Sequence, residues 1–399
     1  MMSRLAVLAL CVLAHQAAAT VYYKETFQDD GWRSRWVDST KKGSGAGKFE
    51  VSKGEFNAGT EAENGLVCTE DMKHYHTSAA FDGFSNKDKT LVFQYQAKLP
   101  KKFDCGGAYL KLFPKGFNQE SMDGDEKYYI MFGPDHCGYS TKKIHAIFNY
   151  KGKNVEKKEE VKIEYNEKDE MSHVYTLIVK PDNTYEILFD LKSKASGSLT
   201  DAWEFLAPKE IDDPSDKKPA DWVDEPKMVD PEDKKPDGWD DIPKQIVDPE
   251  AKKPDDWDDE SDGEWEAPMI DNPEYKGEWK AKMIDNPGYK GPWAPKKIAN
   301  PDFVDDPNVY LYEDIGGVGV EIWNVNGGLH YDNIIVTDSE DEAKAFATET
   351  WEALKDKEKE AKEAKEKKEK EEREAKEKES KKDDDDDDED EADKKKDEL

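Results

Sequence analysis

The sequence predicts a mainly β protein. An antiparallel β-sandwich is interrupted by an inserted proline-rich hairpin arm and followed by a charged helix with an acidic tail. Three observations predict this. Runs that alternate apolar and polar residues crowd the first 200 positions. Two triplets of Pro/Trp repeats follow them. After Asp338 a Glu/Lys run without helix breakers ends in an unbroken acidic block.

The strand runs are "KTLVFQYQAKL" (89–99), "GAYLKLF" (107–113), "KYYIMFG" (127–133), "KIHAIFNY" (143–150) and "HVYTLIVKPDNTYEILFD" (173–190). The stretch "GVGVEIWNVNGGLHYDNIIVTD", ending at Asp338, continues the pattern. Period-two alternation puts one face of each strand toward a core. Pro181-Asp182-Asn183 and Asn326-Gly327-Gly328 sit where hairpin turns would fall. Many short alternating strands argue for an antiparallel sandwich. The last pair lies beyond residue 305 and must return to that sandwich, because a lone hairpin is marginal in water. The globular domain is therefore split into residues 20–206 and 305–350 around an insertion at 207–304.

The insertion is an internal repeat. "IDDPSDKKPADWVDE", "MVDPEDKKPDGWDD" and "IVDPEAKKPDDWDDE" start at Ile211, Met228 and Ile246, and Trp222, Trp239 and Trp257 are 17 and then 18 residues apart. "GEWEAPMIDNPEYK", "GEWKAKMIDNPGYK" and "GPWAPKKIANPDFV" follow, with Trp265, Trp279 and Trp293 spaced by 14. Three copies of one type and then three of another predict an out-and-back arm. Each unit has too few apolar residues for a globular core, and the prolines exclude regular helix and long strands. The tip falls near "DESDGEWE" (259–266). A disordered Pro-rich linker is the other reading, and the regular Trp spacing opposes it.

Past Asp338, Ala345, Phe346, Trp351 and Leu354 have spacing that could dock a helix on the sandwich. Beyond them the helix is polar all round, supported by Glu/Lys pairs at i,i+4. Asp383–Glu391 is nine acidic residues without a break, whose mutual repulsion should keep the segment open. Carboxylates are hard oxygen ligands for Ca²⁺. A polyanion with no preformed cage should bind weakly, at roughly 10⁻⁴–10⁻³ M per site. Asp383, Asp384, Asp385, Asp386, Asp387, Asp388, Glu389 and Asp390 are the candidate low-affinity ligands, within a tail (351–399) diluted by lysines.

The two ends carry addresses. Arg4, the apolar run Leu5–Ala14 and Ala17-Ala18-Ala19 read as a secretory signal over residues 1–19. The run is too short for ~30 Å of hydrocarbon, and no later stretch suggests a transmembrane segment. Lys396-Asp397-Glu398-Leu399 matches the retrieval signal of the endoplasmic reticulum lumen, read by the KDEL receptor. Cys11 leaves with the signal, so Cys68, Cys105 and Cys137 remain for an oxidising lumen. Cys105–Cys137 is the favoured pair, since each adjoins a glycine and flanks a strand run, and Cys68 is then an odd thiol.

A net charge of −33 and a pI near 4.7 exclude nucleic acid as a partner and favour cations. No G-x-S-x-G, HExxH or C-x-x-C is present. His74 and His76 form H-x-H on one strand face, but two ligands do not make a zinc site. His136, His145 and His330 have no recognisable nucleophile beside them. Nothing here argues for catalysis, and no enzyme is expected.

"CGGAYLKLF" (105–113) and "IMFGPDHCG" (130–138), with the two repeat triplets and the terminal Lys-Asp-Glu-Leu, resemble the calreticulin/calnexin family over essentially the whole chain. The resemblance implies a legume-lectin-like jelly-roll sandwich and a monomeric chaperone that binds monoglucosylated N-glycans on newly made glycoproteins. It implies carbohydrate contacts at Tyr109, Lys111, Tyr128 and Asp135, and at Glu321 and Trp323, where the family usually has Asp before the tryptophan. The residue types suit sugar binding. Tyr109 and Lys111 share a strand face, charged and phenolic groups bond hydroxyls, and Trp323 offers an apolar ring. A structural calcium is implied at Thr26, Ala62, Asn64 and Asp332, mostly through backbone oxygens. A thiol oxidoreductase of the protein disulfide isomerase class is implied at Glu260, Asp262, Glu264 and Trp265. The alternatives are a chain that is mainly a high-capacity calcium store, or a glycan-independent chaperone for unfolded protein.

Overall fold

The structure, a computed structural model, describes residues 19–100, 103–138, 141–164 and 169–394, with backbone alone at Asp259, Asp262 and residues 378–394. Cys11, the rest of the leader through residue 18, and Lys396, Asp397, Glu398 and Leu399 lie outside the described residues. The chain divides into two compact units, Pro208–Phe303 and the remainder.

Strands β1 (Val21–Glu25), β2 (Trp36–Asp38), β3 (Phe49–Ser52), β4 (Gly65–Cys68) and β5 (Lys73–Phe84) come first. Next are β6 (Leu91–Lys98), β7 (Cys105–Gly107), β8 (Leu110–Pro114), β9 (Ile130–Cys137) and β10 (Thr141–Tyr150). The short β11 (Lys153–Glu156) and β12 (Val161–Lys162) precede β13 (Ser172–Val179), β14 (Thr184–Phe189) and β15 (Lys192–Ser198). The arm holds β16 (Glu210–Asp212), β17 (Lys227–Val229), β18 (Gln245–Val247), β19 (Met269–Asp271), β20 (Met283–Asp285) and β21 (Lys297–Ala299). After it come β22 (Ile315–Asn324) and β23 (His330–Thr337).

One sheet has the order β15-β14-β13-β6-β23-β4-β3, with β1 on β23. The other has the order β11-β10-β9-β8-β22-β5-β2, with β12 on β10 and β7 on β9. The core lies between them. Tyr185, Ile187 and Phe189 alternate inward along β14, as period two requires. Trp36, Trp203, Tyr75, Tyr95, Tyr331, Phe93 and Phe132 are all under 2% exposed. Tyr95 Oη donates to the carbonyl of Ala108 at 2.7 Å and Trp203 Nε1 to that of Ala146 at 2.9 Å, as burial demands, whereas Tyr331 Oη has no partner among the described residues.

The pattern ending at Asp338 predicts a hairpin, and the structure corrects this. β22 sits between β8 and β5 in one sheet, while β23 sits between β6 and β4 in the other. The corner at residues 325–329, with Gly328 at φ +91°, hands the chain from one sheet to the other. Both strands are almost wholly buried. Pairing them with each other would deprive one sheet of an interior strand.

β23 and β6 are buried on both faces, because helix Glu340–Ala347 covers the outer face of their sheet. Ser339 caps that helix, accepting from the Glu342 amide at 3.2 Å. Ala343 and Phe346 pack on Val92, Ile178 and Ile335, while Ala347 and Trp351 pack on Val174. Ala345, expected to dock, is exposed; Ala343 and Ala347 take that face. Positions 343, 346 and 347 form the i, i+3, i+4 stripe of an α-helix, which residue 345 misses. A π-helical turn at Thr348–Glu352 then returns Trp351 to the sheet, where Nε1 donates to the Ser172 carbonyl at 2.7 Å.

The helix Lys355–Lys394 begins with Glu358 buried against Lys98 at 2.5 Å. It runs on through Asp383–Asp390, where the sequence predicts an open chain. No Gly or Pro interrupts the segment, and extending an existing helix adds one hydrogen bond per residue fixed. Among the described residues, no helix is long and apolar enough to cross a membrane.

In the arm the first outgoing repeat meets the last returning one. Ile211 faces Ile298, Met228 faces Ile284 and Ile246 faces Ile270. Each two-stranded ladder is anchored by an indole: Trp222 Nε1 donates to the Gly291 carbonyl, Trp239 to Gly277 and Trp257 to Gly263, all at 2.8–2.9 Å. These glycines have φ of +87°, +81° and +84°. That conformation strains any residue with a Cβ, so the glycine opening each returning repeat is a backbone requirement.

Candidate functional site

The nine-stranded sheet carries a second apolar cluster on its outer face: Phe113, Met122, Tyr128, Met131 and Ile147, with Tyr109 and Phe117 against it. The polar residues singled out from the sequence gather beside this cluster. Lys111 on β8 is 4% exposed and donates to Glu321 Oε2 at 2.5 Å, while its Nζ lies 4.5 Å from the Tyr128 ring centroid. Burial alone would raise the Glu321 pKa. The His76 imidazole and the Lys111 ammonium instead hold it down to about 2. Burial pushes Tyr128 up to about 12, and Tyr109 is raised too. Both phenols therefore remain donors.

Tyr109 packs edge-on to His145 at 6.2 Å, and His145 Nε2 lies 3.1 Å from Asp135 Oδ2. Gly107 makes room for this: a Cβ there would lie 2.1 Å from the Tyr109 ring. Cys105 and Cys137 are directly opposed on β7 and β9 and joined by a disulfide. The bond fixes the strand that leads into Tyr109 against the one bearing Asp135. Cys68 is unbonded and fully buried, which pushes its thiol pKa up. Trp323 shares the face of Glu321 two residues on and is 44% exposed. The face thus combines a desolvated carboxylate, an ammonium, two phenols and an open indole ring. That chemistry can hold a polyhydroxylated ligand by hydrogen bonds and stacking.

Two histidines belong to this face that the sequence had not placed there. His145 pairs with Asp135, and His76 lies opposite Glu321 in the β5–β22 ladder. The H-x-H spacing marked His76 as sharing a face with His74. Only the register of β22 shows which carboxylate that face meets.

On the other sheet, Asp332 lies at an irregularity in the β23–β6 pairing, where Asn333 adopts φ +49°. It is 2% exposed and shares a cavity of about 20 Å³ with Ala62, Glu63, Gln96, Lys98 and His330. Thr26 follows β1, whose Glu25 pairs with Ile334, and Asn64 precedes β4, whose Leu66 pairs with Tyr331. The four positions are thereby brought around one bulge. Burial pushes the Asp332 carboxyl well above the usual range, with Glu25 and Glu63 adding to it against the Asn333 amide and Lys98. A cation would relieve that. Among the described residues no three acidic, His or Cys side chains form a metal cluster, so the fit rests on one side chain with backbone oxygens.

At the arm's tip, the one-turn helix Asp259–Asp262 is capped by Asp258. Glu260 and Glu264 are exposed, while Trp265 is half-buried; the exposed indole there is Trp257, at 37%. The side chains of Asp262 and Asp383–Asp390 lie outside the described residues.

The Calreticulin family profile matches residues 23–263 and 260–336. Calreticulin of Euglena gracilis is 56% identical over 355 residues, 89% of this chain and 87% of that protein. Calreticulin of Homo sapiens is 54% identical over 345 residues, 86% of this chain and 82% of that protein. Among solved structures, the T. cruzi calreticulin globular domain aligns with a TM-score of 0.61 at 28% identity, covering 87% of this chain and 99% of that one. This chain belongs to the calreticulin family.

Proposed function

We propose that the chain is a lectin chaperone of the endoplasmic reticulum lumen that binds monoglucosylated N-glycans on newly made glycoproteins. The observation that carries this reading is the gathering of Tyr109, Lys111, Tyr128, Asp135 and Glu321 beside one apolar cluster, with Trp323 two residues along the strand from Glu321. In this reading Lys111 and the phenols donate to sugar oxygens, Asp135 and Glu321 accept from hydroxyls, and Trp323 stacks on the sugar's C–H face. The arm's acidic tip, with Glu260, Asp262, Glu264 and Trp265, recruits a thiol oxidoreductase of the protein disulfide isomerase class. A structural calcium is held by the carboxylate of Asp332 and the backbone oxygens of Thr26, Ala62 and Asn64. Catalysis has no part in this reading.

The test is calorimetric titration of a monoglucosylated mannose oligosaccharide into the full chain in calcium, beside Tyr109→Ala and beside the same glycan lacking glucose. Tyr109→Ala should weaken binding about tenfold or more, as loss of a buried hydrogen bond and its ring contact implies. Removing the glucose should have a comparable effect. No binding by the intact chain would sink the lectin reading.

The acidic tail supports a second activity, buffering of luminal calcium by Asp383–Asp390. Truncation separates the two only if it spares the docked part of the helix: Trp351 and Glu358 are buried in the sandwich, and Lys365 pairs with Glu55 at 2.8 Å. Removing residues 378–399 should lower calcium capacity and leave glycan affinity unchanged.

A further inference from the structure

His76 is 4% exposed, and neither ring nitrogen makes a hydrogen bond among the described residues. A buried polar group without a partner is costly and calls for an explanation. Its Nε2 lies 3.5 Å from Glu321 Oε1, an ion-pair contact at the outer limit of hydrogen bonding that does not make a formed bond, while Oε2 is taken by Lys111. The other groups around the imidazole do not fill the role. The His74 ring is edge-on at 5.8 Å along the same strand, and His76 also borders a cavity of about 330 Å³ that Asp38, Ser39, Lys48 and Glu50 line. The glutamate carboxylate sits at the end of a flexible two-methylene stem. A single ammonium on Oε2 leaves the carboxylate free to swing about that contact.

The geometry points to His76 as a positioning residue for sugar recognition: it clamps Oε1 of Glu321 and so fixes the carboxylate that receives the sugar hydroxyls. This rests on the lectin reading. The imidazole adds no sugar contact of its own. It closes the remaining fraction of an ångström on Oε1 when ligand binding draws the carboxylate into place, and its unpartnered nitrogen then gains a partner. The flexible acidic side chain thereby gains a two-point hold in place of one contact.

The test is a double-mutant cycle in the full chain, read by titration with the monoglucosylated mannose oligosaccharide. His76→Ala should weaken binding about tenfold, and His76→Gln, which keeps a donor near Nε2, should stay within about threefold of the parent. In a Glu321→Gln background, His76→Ala should cost no more than about twofold, because the group it acts through has lost its charge. Unchanged binding by His76→Ala overturns the proposal. So do equal losses for Ala and Gln that add to Glu321→Gln, since these mark a merely structural role. If the parent chain itself fails to bind, the lectin reading falls and the proposal with it; a parent that binds beside an unaffected His76→Ala overturns the proposal alone.

Discussion

Trp36, Trp203, Tyr75 and Tyr95 are each under 2% exposed in the sandwich, whereas Val229, Val247, Met269 and Met283 in the arm remain 52–56% exposed. Both units use aromatic and aliphatic residues on short strands. The sandwich packs them between two sheets, so most stabilisation comes from apolar area removed from water, roughly 25 cal/mol per Å². The arm has no second layer. Its three ladders repeat one local unit, a three-residue strand pair fastened by an indole-to-glycine hydrogen bond. Residues of the sandwich depend on partners far away in sequence, while each arm unit depends on the strand facing it and on its neighbours. Damage should therefore spread through the sandwich and stay local in the arm.

A matched pair of tryptophans offers the sharpest way to break this comparison. Trp203→Ala removes a fully buried ring packed against Phe148, Tyr185 and Phe205, and the indole hydrogen bond to the Ala146 carbonyl. It should cost about 3–5 kcal/mol and shift the denaturant midpoint of the sandwich. Trp239→Ala removes a half-buried ring and one bond to the Gly277 carbonyl. About 1–2 kcal/mol should be lost there, visible as faster amide exchange at Met228 and Ile284 without movement of the sandwich midpoint. Equal shifts of that midpoint would mean the two units do not melt independently.

Titration provides the next contrast. His173 lies between Asp169 (3.0 Å) and Asp190 (2.8 Å), against the Phe189 ring. Burial would depress its pKa, but the hydrogen bonds to the two carboxylates raise it to about 9. The unfolded value is about 6.5. The folded pKa is thus the higher one, so the contribution is complete below about pH 6.5 and is lost as pH rises toward 9. Comparison with His173→Gln should show about 2–3 kcal/mol of extra stability at pH 6 and little of it at pH 9.5, by denaturant unfolding at each pH. A difference that is flat across this range would remove the ion-pair account.

Legibility followed the same division. The arm could be read almost completely, because tryptophan spacing and the order of repeat types fix which copies face each other. Tyr109 and Lys111 could be placed on one face from alternation alone. The partnership of His76 with Glu321 could not, because it depends on the register of β5 against β22, two strands separated by the arm and most of the globular unit. The route of residues 325–329 was hidden for a related reason: turn chemistry at Gly327-Gly328 is the same for a hairpin and for a corner between sheets. Ala345 was misplaced because it falls off the i, i+3, i+4 stripe of Ala343, Phe346 and Ala347, and a π-helical turn beyond it is what lets Phe346 and Trp351, five residues apart, share a face. A reading that assumes one helical period cannot anticipate that turn.

The smallest effect concerns the charges that decorate the arm. Lys227 Nζ lies 2.6 Å from Asp285 Oδ1 across the β17–β20 ladder, with the side chains 56% and 91% exposed. Lys227 holds the Asp285 pKa below its ordinary value, so any contribution would be present at neutral pH and lost on acidification. Water and salt screen such a pair, and ordering two exposed side chains consumes most of the Coulomb gain. Lys227→Ala should therefore speed amide exchange at Met228 and Ile284 by less than about twofold, in low and in high salt. A change as large as that of Trp239→Ala would show that cross-strand charge, and not the indole anchor, holds the ladder closed. The tolerance of the arm for so many acidic residues would then need a different explanation from local backbone and indole bonding.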